Sequence, residues 1–245
     1  MNHNVQFPLT PWTKLREAVG TSLGDERSAA INYLCSHYWY PLYAFARWKG
    51  WNHEDAQDQT QIFLSRLIER NSLEHADENK GRLRTYLLNA FQNQWSHHRE
   101  RQRTARRGGG GDMLSLQMPG AEERFARELC DPALNPEDHY DRAWALAVVD
   151  ACLTDLEADL ARQGQAEAFA VLRPFLSPLS IADVSVSEAG KRLGLNDQAV
   201  RQRIFRLRAA FSKALRAHIA GSLADPTKEA VDEEMRSLRR ALERL

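Results

Sequence analysis

Apolar residues recur along this 245-residue chain at steps of three and four, and strand-like alternation is absent, which predicts an all-α fold. Helices are predicted over roughly 28–49, 53–70, 80–105, 137–162, 165–177, 185–193, 197–220 and 226–244. Asn52 and Asn196 stand at N-cap positions, and Asp225 with Pro226 is read as opening the last helix. In 53–70, Ala56, Phe63, Leu64 and Leu67 face inward, which leaves Asp55, Asp58, Gln61, Ile62, Ser65 and Glu69 as a mostly polar outer surface. In the next helix Leu83, Leu87, Phe91 and Trp95 form the apolar stripe. Thr85, Asn89, Gln92, Asn93 and Ser96 line its opposite face, and Arg99, Arg101, Arg103, Arg106 and Arg107 follow. Trp95 is expected in the core.

The pattern breaks at Gly108–Gly111, because consecutive glycines cannot hold a helix at tolerable entropy. No periodicity returns before about 136, so 108–136 reads as a flexible, Gly-rich linker. Two small helical domains are therefore expected, over 12–107 and 137–220, with a helical extension over 221–245. The extension carries Val231, Met235, Leu238 and Leu242 on one face and is expected to pack on the second domain.

Within that second domain the run from Val186 to Leu215 fits a helix-turn-helix. Ala189 and Gly190 are small where two helices would cross, and Leu193 faces the core. Gly194 makes the turn, Leu195 is buried, Asn196 caps the next helix and Val200 packs inward. Val200, Ile204, Leu207, Phe211 and Leu215 then form one stripe. Arg201, Arg203, Arg206, Arg208, Lys213 and Arg216 occupy the remaining circumference. Gln198, Arg201 and Gln202 point away from the core near the helix start, where a recognition helix meets base edges. A helical hairpin with a basic rim is the plainer reading of the same residues.

Composition sharpens this picture only when it is read in blocks. The chain carries 33 Lys+Arg and 33 Asp+Glu, net zero, which taken whole argues against a nucleic-acid partner. Residues 80–107, however, hold 8 basic and 1 acidic side chain, and 191–220 hold the same, so each block is +7. The segments 51–79, 108–139 and 140–190 are each −5. One basic run is as easily a solvated helix face; two such runs on helices favour phosphate contact. No apolar run approaches the roughly 20 residues of a bilayer helix, so no membrane insertion is expected. Met1 to Leu9 lack a signal-peptide layout, and Cys35, Cys130 and Cys152 are scattered and odd in number. A soluble, cytoplasmic protein is expected.

Catalytic signatures are missing: there is no HExxH, paired CxxC, P-loop, GxSxG or dinucleotide fingerprint. His97 and His98 are adjacent and diverge by about 100° on a helix, a poor metal site. No catalytic residue, metal or cofactor is expected, and no enzymatic activity.

The order EDAQDQTQIFLSRLIER, then KGRLRTYLLNAFQNQWSHHRERQRTAR, then a linker, then SEAGKRLGLNDQAVRQRIFRLR resembles the extracytoplasmic-function group of bacterial RNA polymerase sigma factors. The resemblance covers about 28–107 and 140–219, and the tail is similar to a sub-group with a C-terminal helical extension. It implies a transcription initiation factor that binds core polymerase and promoter DNA; it also admits an anti-sigma factor as a partner. The helix matching 53–70 would dock on the clamp of the largest polymerase subunit through Asp55, Asp58, Gln61, Ile62 and Ser65. The helix matching 80–103 would recognise and melt the −10 element. Thr85, Asn89, Gln92, Asn93 and Ser96 would serve the bases, and Arg99, Arg101 and Arg103 the phosphates. Asn196, Gln198, Arg201, Gln202, Arg203, Arg206 and Arg208 would read the −35 duplex. The acidic linker would thread through polymerase channels meant for nucleic acid. Gly190 stands where the family usually has alanine, and Leu83 where an aromatic is common. The alternative is a stand-alone helix-turn-helix regulator whose N-terminal domain dimerises; a helical adaptor without DNA function is a third.

Overall fold

The computed structural model describes residues 31–69, 82–104, 118–128, 134–176 and 185–243, with side chains at all of these except 69 and 95–104. Among these residues the fold is helical and no β-strand is present; one isolated antiparallel bridge joins Arg82 and Leu223. The helices are α1 (Tyr40–Trp48), α2 (His53–Glu69), α3 (Leu83–Thr104), α4 (Ala121–Arg127), α5 (Pro136–Arg162), α6 (Ala166–Leu172), α7 (Val186–Leu193), α8 (Asp197–Gly221) and α9 (Lys228–Glu243). The glycine run and residues 12–30 of the expected first domain lie outside the described residues, as does the side chain of Trp95.

The chain divides into two compact units that differ from the expected domains. One comprises Met1–Ala147 together with Ile219–Leu245, the other Val148–His218. The C-terminal extension therefore belongs with the N-terminal unit and not, as its amphipathic pattern suggested, with the second. So does the start of α5.

The first unit is built around α1. Every residue from His37 to Ala46 is buried, and a helix apolar on all sides must be covered all round. Cys35–Trp39 forms a π-helical turn ahead of it. Pro41 has no N–H to offer the His37 carbonyl, which removes the α-type bond at that step. Phe45 meets Phe91 of α3 and Tyr140 of α5 edge to face, with ring centroids 6.3 and 6.5 Å apart. Phe63 of α2 reaches the same Phe91 at 5.2 Å. Asn52 caps α2, its Oδ1 accepting from the Asp55 N–H at 2.8 Å.

The expected linker contains a helix. α4 docks on α1 through Glu122, which accepts from Tyr43 Oη at 2.5 Å and pairs with Arg47. Phe125 lies 5.4 Å from the Trp48 ring, and the Arg124 guanidinium sits 3.7 Å over Tyr40. Such a short helix gains its stability from this docking and not from local propensity, which is why periodicity did not announce it.

The tail helix is also held differently than its apolar pattern predicted. Its buried stripe is Val231, Glu234, Leu238 and Ala241, while Met235 and Leu242 are only half-buried. Thr227, not Asp225, caps it, its Oγ1 accepting from the Ala230 N–H at 3.2 Å. The charged member of the stripe has partners: Glu234 meets Arg84 Nε at 2.6 Å and Arg82 Nε at 2.9 Å. Arg84 also pairs with Asp141 and lies 4.6 Å over the Trp144 ring. Burial alone would lower the Arg84 pKa, but Glu234 and then Asp141 carry it above its ordinary value. At Asp141 the balance goes the other way: burial raises its pKa despite the guanidinium beside it. We take Arg84 as firmly charged, because two carboxylates face it.

In the second unit Ser185 caps α7, accepting from the Glu188 N–H at 3.1 Å, and Gly194 ends it at φ 64°, a left-handed conformation that suits glycine. The Leu195 N–H closes the turn on the Gly190 carbonyl at 2.9 Å. A Cβ at Gly190 would stand 2.7 Å from the Leu195 carbonyl oxygen, so this position has no room for the alanine common in the resembled family. Asn196 then caps α8, its Oδ1 accepting from the Ala199 N–H at 2.8 Å. Ala189, Val200, Ile204 and Leu207 are buried as expected; Leu193, Leu195 and Phe211 are only half-buried.

Candidate nucleic-acid interface

Two helices carry the polar stripes singled out in the sequence, one in each unit. On α8 the cap at Asn196 fixes where the helix starts, and Val200, Ile204, Leu207 and Leu215 turn inward. That orientation leaves Gln198, Arg201, Gln202, Arg203, Arg206 and Arg208 exposed. Gln198, Arg201 and Gln202 lie on one surface within the first turns. Arg201 stands 3.9 Å from Asp197, a loose pair on an exposed surface that screens little of its charge. Arg208 is less available: its Nε donates to the Phe175 carbonyl of the same unit at 3.1 Å. Asn196 spends its side-chain oxygen on the cap.

The sequence reading passed over Phe205. Its ring is 74% exposed, the one large apolar side chain so exposed among the described residues. It follows Arg201 by four positions and Gln202 by three, and so continues their stripe. An aromatic on the polar side of a basic helix was the available signal. Apolar contact with a thymine methyl is one use for such a side chain in a major groove.

On α3, Leu83, Leu87 and Phe91 are buried, and Thr85, Asn89 and Asn93 are exposed on the other side. Gln92 is half-buried, and its Nε2 donates to Glu137 Oε1 at 3.2 Å. Glu137 also takes Lys49 at 3.0 Å; burial would raise its pKa, but Lys49 and its other hydrogen bonds hold it below the usual carboxylate value. Gln92 is thus engaged within its own unit. The side chains of Ser96, Arg99, Arg101 and Arg103 lie outside the described residues.

The face of α2 expected to meet a protein partner is narrower than the sequence suggested. Asp55 and Asp58 are exposed, and Ile62 is partly so. Gln61 and Ser65 are covered, at 9% and 1% exposure, and leave that surface. The exposed stripe instead runs Asp55, Asp58, Ile62, Arg66 at steps of three, four and four. Gln61 and Ser65 lie one position before Ile62 and Arg66, rotated toward the core side.

Among the described residues no group of three or more His, Cys, Asp and Glu side chains is placed to hold a metal ion. No described helix is long and apolar enough to cross a membrane. Burial pushes the Cys35 thiol up to about 11 and the Cys152 thiol up to about 12, which suppresses the nucleophilic thiolate at both. Comparison with models of protein families, with curated proteins and with solved structures found no match.

Proposed function

We propose that this chain is an RNA polymerase sigma factor that directs promoter-specific initiation through two separate DNA-reading helices. The observation that carries the reading is the capped helix α8, which presents Gln198, Arg201, Gln202 and Phe205 outward within a +7 segment. Its turn, small crossing residues and basic rim suit a helix-turn-helix lying in a major groove. In this role Arg201 and Gln202 contact base edges of the −35 element, while Arg203 and Arg206 meet phosphate.

The second half of the reading is α3. Asn89 and Asn93 are amides that can bond base edges of a separated strand, and Thr85 extends the same exposed row. The arginines that follow in sequence, Arg99, Arg101 and Arg103, supply the cationic track for phosphate. Asp55, Asp58 and Ile62 on α2 form the docking row for the polymerase clamp. The order of these motifs along the chain supports the assignment to the extracytoplasmic-function group more than any one of them does. Tethering two weak DNA contacts raises the effective concentration of the second once the first is made. Core polymerase supplies the chemistry, and the chain supplies the address.

The test is reconstitution with purified core polymerase. A stable complex weakened by Asp58→Arg supports the reading. A chain that binds a palindromic duplex as a dimer and never joins core is instead a stand-alone regulator.

A further inference from the structure

The sequence predicts that the C-terminal extension packs on the second domain, but α9 meets the start of α3 at a buried cluster of charges. Glu234 of α9 is fully buried, and a carboxylate in such a place is costly unless both oxygens have partners. It has them: Arg84 offers Nε at 2.6 Å and Nη2 at 3.2 Å in a forked approach, and Arg82 adds Nε at 2.9 Å. The backbone joins too. The Leu83 N–H, one of the four a helix start leaves unsatisfied, donates to the Ser222 carbonyl at 3.2 Å. The Tyr140 hydroxyl fastens the Arg84 carbonyl from α5 at 2.9 Å.

This arrangement fixes the roll of α3 about its axis. Arg84 must point inward to reach Glu234, so Thr85, Asn89 and Asn93 are turned away from it by roughly 100° to 180° on an ideal helix. Those are the exposed residues of the stripe. We propose that Glu234 is a positioning residue, and that residues 221–243 are the clamp that sets the strand-reading face of α3. The inference rests on the reading of α3 given above, and it makes the far C-terminus a requirement for promoter melting.

The experiment uses the full chain with Glu234→Gln, which keeps the shape and removes the charge. Amide hydrogen exchange over 83–93 is expected to quicken by about tenfold or more while α8 is unchanged. Core polymerase carrying this variant is expected to initiate on the order of tenfold more slowly from a duplex promoter selected by the wild-type protein out of a random library. On the same promoter with its −10 region pre-melted the loss is expected to shrink, and affinity for core to stay as in the wild type. A merely structural role would depress both templates and core binding together, and that result overturns the proposal. Unchanged exchange in α3 overturns it as well. If Glu234→Gln does not fold, Arg82→Gln at the partly exposed edge of the cluster gives the same comparison in milder form. If the wild-type chain never joins core, the sigma-factor reading falls, and the exchange measurement still decides whether Glu234 holds α3.

Discussion

The two candidate DNA helices are anchored by opposite means. α8 is set by its neighbours in sequence: Gly194 turns the chain, Asn196 caps the start, and Gly190 lets the turn approach α7. α3 is set by residues far along the chain, since Arg84 meets Asp141 57 positions later and Glu234 150 positions later. A locally anchored helix tolerates change elsewhere in the molecule. One held by distant charges loosens as they are removed, most where the charge is most buried.

That contrast can be broken most severely at the charge cluster. Glu234→Ala leaves two guanidinium groups facing an empty buried site, and removing one partner of such a pair typically costs about 3–5 kcal/mol. Denaturant unfolding should show this loss, with a milder one for Asp141→Ala, whose side chain is 40% exposed. A loss for Glu234→Ala no larger than that for a surface substitution would mean that the cluster does not hold α3.

Next in size is Gly190→Ala. With the Leu195 carbonyl oxygen 2.7 Å from the new methyl, the α7–α8 turn must open, at an expected cost of about 1–3 kcal/mol. Hydrogen exchange should confine the damage to the second unit. Unchanged stability would mean that the turn adjusts freely and that local anchoring is looser than described.

Arg201→Ala and Phe205→Ala act on the exposed face of the locally anchored helix α8. Both side chains are exposed, so stability should move by less than about 0.5 kcal/mol. If α8 reads duplex DNA as proposed, Arg201→Ala should weaken selection by about 1–3 kcal/mol at the base pair it contacts, and Phe205→Ala by less. Binding that falls equally on every duplex would assign them to phosphate instead.

The smallest effect is a pH dependence of α4 docking. A hydrogen bond from Tyr43, and then Arg47, hold the Glu122 carboxyl below its usual range. A folded-state pKa below the unfolded one gives stability that is complete above the unfolded carboxylate value, near 4.3, and is lost as pH falls through the lower folded value. Fluorescence of Trp48, which packs against Phe125, should report undocking in acid, and Glu122→Gln should flatten that titration.

Much of the fold was legible because its determinants are local. The caps at Asn52 and Asn196, the turn at Gly194 and the stripe from Val200 to Leu215 each follow from a few adjacent residues. The rest depends on contacts that no window of sequence contains. Glu234 reads as solvated until Arg82 and Arg84 are placed beside it. Gln61 and Ser65 read as surface because a polar residue on the rim of an apolar stripe carries no sign of being covered. α4 was missed because its seven residues are stabilised by the Tyr43, Arg47 and Trp48 side chains of α1. Phe205 lies outside the core stripe, and its spacing from Arg201 puts it on the same exposed face of α8, a signal the sequence does carry.

The most direct measurement is run-off transcription by core polymerase with and without this chain on a library of random duplexes. Transcripts are expected only with the chain present, from templates sharing two separated elements, selection of the upstream one weakened by Arg201→Ala and of the downstream one by Asn93→Ala. No transcript above core alone, or selected templates sharing a single palindrome, would contradict this expectation.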